Sequence, residues 1–167
     1  MDSTYREFRA DQLTELPTSL PGRIFRSPMP FGRGDPDGRL FAQYIQQNIS
    51  VIVLLASDQE CIQKSGRDLR LFYTHAGQEV IYLPIPDFGV PEPPALETAI
   101  CQAMGRLRAG ANVLVHCYAG IGRTGTFLAC LAKRGLGLNT RQAIEWVRLS
   151  VPGALETAEQ IQLVSDF

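Results

Sequence analysis

Short apolar runs alternate along this chain with longer stretches in which apolar positions recur every three or four residues. The runs are "VIVLL" (51–55), "EVIYLPI" (79–85) and "NVLVHC" (112–117). Rich in β-branched residues and without polar alternation, they suit strands buried on both faces. "GRIFRS" (22–27) reads as a shorter first strand. Helical spacing follows each run. Leu40, Phe41, Tyr44 and Ile45 share one side of 38–48, and Leu69, Phe72 and Tyr73 share a face within helical material spanning 58–75. Leu96, Ile100, Met104 and Leu107 mark a helix over 95–110, with Gly110 as its stop. Three further helices are expected over 124–134, 140–150 and 157–167.

Strands that alternate with helices imply a mostly parallel central sheet flanked by helices on both faces, an α/β fold. Two segments interrupt the pattern. "SPMPFGRGDPDG" (27–38) holds three prolines and three glycines and reads as a solvent loop, with Met29, Phe31 and Arg33 the side chains that could reach a substrate. "PIPDFGVPEPP" (84–94) is too proline-dense for regular structure. Residues 1–22 read as a peripheral lead-in to one domain spanning 1–167. No repeat or low-complexity tract appears.

Composition narrows the possibilities. At 167 residues and 45% hydrophobic content, the chain can build one core. A formal net charge of −1 argues against broad nucleic-acid binding or attachment to anionic membranes, while leaving room for a local basic pocket. No apolar run approaches the ~20 residues of a membrane span. The polar opening "MDSTYREFRADQ" does not resemble a signal peptide. The four cysteines (Cys61, Cys101, Cys117 and Cys130) form no CxxC pair and no zinc-like pattern with His75 and His116. A cytoplasmic, monomeric protein without metal or cofactor is expected, in a compartment that keeps thiols free.

The chemistry concentrates in "HCYAGIGRTG" (116–125), between the last strand and the next helix. One reading is a tight glycine-rich turn with a buried cysteine. The other is an anion cradle with a nucleophile at its floor. Five residues separate Cys117 from Arg123, and Gly120 and Gly122 are two of them. Such a loop can turn the backbone N–H groups of Tyr118, Ala119, Gly120, Ile121, Gly122 and Arg123 inward, at the positive end of a helix. Arg123 adds a planar fork matched to two phosphate oxygens, which lysine lacks. The same field favours a thiolate, which could attack phosphorus and form a phosphocysteine. The Thr124 hydroxyl could donate to the sulfur, and the His116 ring is expected to turn away and order the loop. Asp87, 30 residues before Cys117, is the candidate general acid for the leaving oxygen. Both loops follow strands, so both can meet at the carboxyl rim of the sheet.

This segment resembles the signature loop of the cysteine-dependent protein tyrosine phosphatases, HCxxGxxRTG, with His116, Cys117, Gly120, Arg123, Thr124 and Gly125 all matching. "PIPDFGVP" is similar to the acid loop of the compact, dual-specificity-like branch. "VRLSVPGALETAEQ" resembles that branch's C-terminal segment, except that Val151 stands where an arginine is common. The resemblance implies a metal-free, single-domain α/β phosphatase acting on phosphate monoesters through phosphocysteine. It also implies that Gln160 holds the hydrolytic water. Relatives acting on inositol phospholipids commonly carry lysines between the cysteine and arginine; this loop has none, which favours phosphotyrosine protein or peptide substrates, with phosphoserine and phosphothreonine also open. Two other classes remain: a cysteine-dependent sulfur or arsenate transfer enzyme, and a phosphoprotein-binding module without turnover.

Overall fold

The computed structural model describes residues 11–167. Residues 1–10, part of the expected lead-in and the stretch that bears on a signal peptide, lie outside the described residues. A five-stranded sheet has the order β1-β2-β5-β3-β4. Its strands are β1 (Thr14–Leu16), β2 (Ile24–Ser27), β3 (Ile49–Leu54), β4 (Glu79–Tyr82) and β5 (Asn112–His116). Four run parallel, and β1 pairs antiparallel with β2 at the edge.

The apolar runs become strands because each must satisfy two cores. Side chains alternate across a strand. Val51 and Val53 of β3 and Val113 and Val115 of β5 enter one hydrophobic cluster, whereas Ile52, Leu54 and Leu114 enter the other. The first cluster is covered by α4 (Pro93–Arg108), α5 (Gly122–Leu136), α6 (Thr140–Ser150) and α7 (Ala158–Asp166). The second lies under α1 (Arg39–Gln46), α2 (Asp58–Ser65) and α3 (Leu69–His75). The molecule is therefore a single-domain α/β structure with helices on both faces. α5 is buried continuously from Gly122 to Ala132. Its N-terminus is thus fixed from all sides, directly after β5.

Three details refine or depart from the sequence reading. The helical material of 58–75 is divided into two helices. Gly66 adopts φ +71° and donates to Ile62 O, closing α2; Asp68 then accepts the Leu71 N–H and starts α3. Within the expected lead-in, Thr14–Leu16 is a sheet strand, and Leu16 is fully buried. The loop after β2 is not simply solvent. Met29 is buried, and Phe31, held at φ +61°, packs edge-on against Phe72. A side chain at Gly38 would collide with the Phe31 ring, so glycine there gives the aromatic its place. Val151 takes a core position at the end of α6.

Candidate active site

The four parallel strands all point their carboxyl ends at one rim. The loop after β5 carries Cys117, and the loop after β4 carries Asp87. Leu55 N–H donates to His116 O (2.9 Å), and Ile85 N–H donates to Leu55 O (3.0 Å). Backbone ladders thus bring the two loops together before any side chain contributes.

Accounting for carbonyl groups defines the Cys117 loop. Cys117 O accepts from His116 Nδ1 at 2.9 Å. Tyr118 O accepts from Met29 N at 2.8 Å. Ala119 O and Gly120 O each accept from the Arg26 guanidinium at 2.9 Å. Ile121 O accepts from Gly125 N at 2.8 Å, and Gly122 O from Thr126 Oγ1 at 2.9 Å. Every carbonyl from Cys117 to Gly122 is therefore bonded to the body of the protein. No described peptide is cis. In a trans peptide the C=O and the following N–H point in opposite directions. The amides of Tyr118 through Arg123 consequently turn away from the groups that hold the preceding carbonyls. One of them is anchored visibly: Gly120 N–H donates to Cys117 Sγ at 3.2 Å. Thr124 Oγ1–H reaches the same sulfur at 3.2 Å. Both donors thus reach a nearly buried sulfur.

Arg123 is 2% exposed, and its fork is fixed from behind. Nη1 donates to Glu60 Oε2 (2.8 Å) and Ile85 O (3.0 Å), and Nη2 donates to Glu60 Oε1 (2.8 Å). Nη2 also lies 3.2 Å from Asp87 Oδ1. Of five N–H donors, the Nε–H and the second Nη2 proton share the remaining edge, with Asp87 Oδ1 close to its Nη2 end. That edge is the one suited to two oxygens of an anion. Burial alone would lower the arginine's pKa; Glu60, Cys117 and Asp87 outweigh it and hold the cation above its ordinary range.

His116 faces away from the sulfur. A carbonyl only accepts, so Nδ1 carries the proton given to Cys117 O, and Nε2 accepts from Tyr73 O–H at 2.9 Å. Burial pushes this imidazole down to about 4, against the backbone bond to Cys117, and Arg123 pushes the same way as burial. The ring is a neutral brace. Gln160 is fully buried. Its Oε1 accepts from Glu156 N (2.7 Å) and Thr157 N (3.3 Å), and its Nε2 donates to Gly89 O (3.3 Å) in the loop after β4. One amide proton remains for another acceptor. Gly125 allows α5 to approach the Ala154–Leu155 turn, where a Cβ would come 2.7 Å from Ala154 Cβ.

Two residues of this assembly were not legible as site residues. Glu60 sits three positions after Ser57, a spacing that reads as a capping box. Ser57 Oγ does take the Glu60 N–H (3.1 Å), but the carboxylate turns to Arg123 instead of folding back. Arg26 left a stronger signal: an arginine between Phe25 and Ser27 in a strand needs buried acceptors. Beside the loop, a recess of about 200 Å³ is lined by Pro28, Met29, Gly32, Arg33, Tyr118 and Ile121, among others.

Comparison with known proteins bears on this geometry. The family model described as polymorphic toxin system, DSP-PTPase phosphatase matches residues 32–136. The mouse protein tyrosine phosphatase domain-containing protein 1 is 30% identical over 137 residues, which are 77% of this chain and 18% of that protein. The chain therefore spans less than a fifth of that relative's length. Among solved structures, Tk-PTP in the active form is 32% identical, with a TM-score of 0.72 over 87% of this chain and 90% of that one. Kinase associated phosphatase, with its catalytic cysteine replaced by serine, shares the fold: TM-score 0.83 at 20% identity, covering 96% of each chain. The matched family model and the identity to Tk-PTP establish that this chain belongs to the DSP-PTPase phosphatases, within the cysteine-based protein tyrosine and dual-specificity phosphatase superfamily.

Proposed function

We propose that this domain hydrolyses phosphotyrosine in proteins or peptides, with phosphoserine and phosphothreonine as secondary substrates, through a phosphocysteine intermediate. The observation that carries this reading is the sulfur of Cys117 at the start of the loop, with Gly120 N–H and Thr124 Oγ1–H both on it. The bound phosphoryl group takes its equatorial oxygens to the amides of residues 118–123 and to the Nε–Nη2 edge of Arg123. Cys117 Sγ attacks phosphorus in line, the ester P–O bond breaks, and the Asp87 carboxyl gives its proton to the leaving oxygen. Water then attacks phosphorus, the S–P bond breaks with its electron pair returning to sulfur, and Asp87 takes the water's proton. Thr124 stabilises the sulfur in both steps. The remaining Gln160 amide proton is available to hold that water.

Two features favour an aryl ester. The loop contributes no cation besides Arg123, which suits a simple monoester over a polyanionic head group. The adjoining recess has Pro28, Met29, Tyr118 and Ile121 as walls for an aromatic ring. The test is hydrolysis of a phosphotyrosine peptide panel in the presence of a metal chelator. Chelator-insensitive turnover, inhibited by vanadate and absent in Cys117→Ser, is expected. Thiosulfate or arsenate transfer without phosphatase activity would overturn the reading, as would phosphopeptide binding without hydrolysis by the wild type.

A further inference from the structure

The phosphate loop is shaped partly by a residue from outside it. We propose that Arg26 is a positioning residue that sets two amides of the loop, those of Gly120 and Ile121, toward the bound oxyanion. This inference rests on the anion-binding reading of the loop given above.

Arg26 lies on β2, next to β5, and is fully buried. Its Nε donates to Gly120 O and its Nη2 to Ala119 O, both at 2.9 Å; Nη1 donates to Gln12 O at 3.1 Å. One rigid planar group thus holds two consecutive carbonyls. Each held carbonyl fixes the opposite orientation of the next N–H. Ala119 O fixes the Gly120 amide, which is the one seen on Cys117 Sγ. Gly120 O fixes the Ile121 amide. The remaining carbonyls from Cys117 to Gly122 are held by backbone, by the adjacent His116 or by the first turn of α5, so Arg26 is the only long-range side-chain donor to these carbonyls among the described residues.

Gly120 is matched to this arrangement. It adopts φ +71°, and a Cβ there would lie 2.2 Å from Ser27 O and 2.6 Å from Arg26 Nη2. The glycine lets the guanidinium reach the loop backbone. A lysine could not replace it, because one ammonium on a flexible stem cannot present two coplanar donors at fixed spacing. The charge is retained as well. Burial lowers the guanidinium to about 10, opposed by the sulfur of Cys117, which leaves it cationic at neutral pH behind the anion site.

The experiment titrates tungstate, a non-reacting oxyanion, into wild type, Arg26→Lys and Arg26→Met, following heat release and backbone amide resonances. Wild type should bind, with the Gly120 and Ile121 resonances among those displaced. Arg26→Met should weaken binding by about ten-fold or more and lose those two displacements, with kcat on an aryl phosphate falling about 10- to 100-fold. Arg26→Lys should fall between. A merely structural role would lower Tm but leave tungstate affinity unchanged well below the transition. Affinity within about two-fold of wild type, with both amide displacements intact, overturns the proposal. Should Arg26→Met not fold, Arg26→Lys decides by the same criteria. Failure of the wild type itself to bind tungstate or hydrolyse phosphate esters would instead overturn the functional reading.

Discussion

Arg123 is held in one orientation because Glu60 occupies the far end of its guanidinium. The pair is close to fully buried on the arginine side, 2% exposed, against 18% for the glutamate. Glu60→Gln keeps the shape but removes the charge that holds the fork. It should lower kcat/KM about 10- to 100-fold through misplacement of Arg123, with a lower Tm, as read by steady-state kinetics and thermal unfolding. Asp87 has a different signature. Its carboxylate is 62% exposed and rests on Arg123 Nη2. Asp87→Asn should slow esters with poor leaving groups by about 100- to 10,000-fold and affect activated aryl phosphates far less. A series of substrates with graded leaving groups checks this through the change in slope. Cys117 and Arg123 were singled out at this scale by the match of the whole segment 116–125 to the signature loop; their spacing alone left a tight glycine-rich turn open. Glu60 was not singled out, because its local sequence has a sufficient explanation in helix capping.

Among the elements, α7 ties the C-terminal segment to the loop that carries Asp87. Thr157 and Gln160 form a capping box, and Gln160 also bonds Gly89 O beside Asp87. Thr157→Ala should cost about 1 kcal/mol of stability. Gln160→Ala should cost more, since it empties a buried position, and should add part of the leaving-group dependence seen for Asp87→Asn. Denaturant melts combined with the same substrate series separate the two effects. Strands β2 to β5, α4, α6 and the C-terminal helix could be read from apolar runs and hydrophobic period. The break at Gly66 could not, because the apolar face of α3 continues the spacing expected of one long helix. β1 is only Thr14–Leu16, too short to leave a period, and it exists because β2 offers an open edge. Met29 and Phe31 lie in a proline- and glycine-rich segment whose composition hides their packing.

For the whole molecule, the sheet works by placing a neutral histidine where its hydrogen bonds join both halves. Tyr73, from the face of α3, reaches His116 at the end of β5. The imidazole's pKa lies near 4 in the folded state, below its ordinary value of 6.5. Between these values the unfolded chain binds more protons than the folded one. Stability should therefore fall as pH drops from about 6.5 toward 4, by up to about 1.4 kcal/mol per pH unit from this group. Urea midpoints measured from pH 7 to pH 4 should show that slope, and His116→Asn should flatten it while lowering stability at pH 7. The α/β class and the convergence of both loops on one rim followed from alternating strands and helices. What did not follow was the outer shell: Arg26, Glu60 and Tyr73 come from three separate elements, and only folding reveals that they meet.

In the proposed reaction, the sulfur of Cys117 becomes covalently bonded to phosphorus during turnover. Rapid acid quench during hydrolysis of an activated aryl phosphate, followed by mass spectrometry of the peptide carrying Cys117, tests it most directly. The account predicts one added phosphoryl group on Cys117 within the first turnover, absent in Cys117→Ser. Turnover that persists in Cys117→Ser, or a phosphoryl group found on another residue instead, would contradict it.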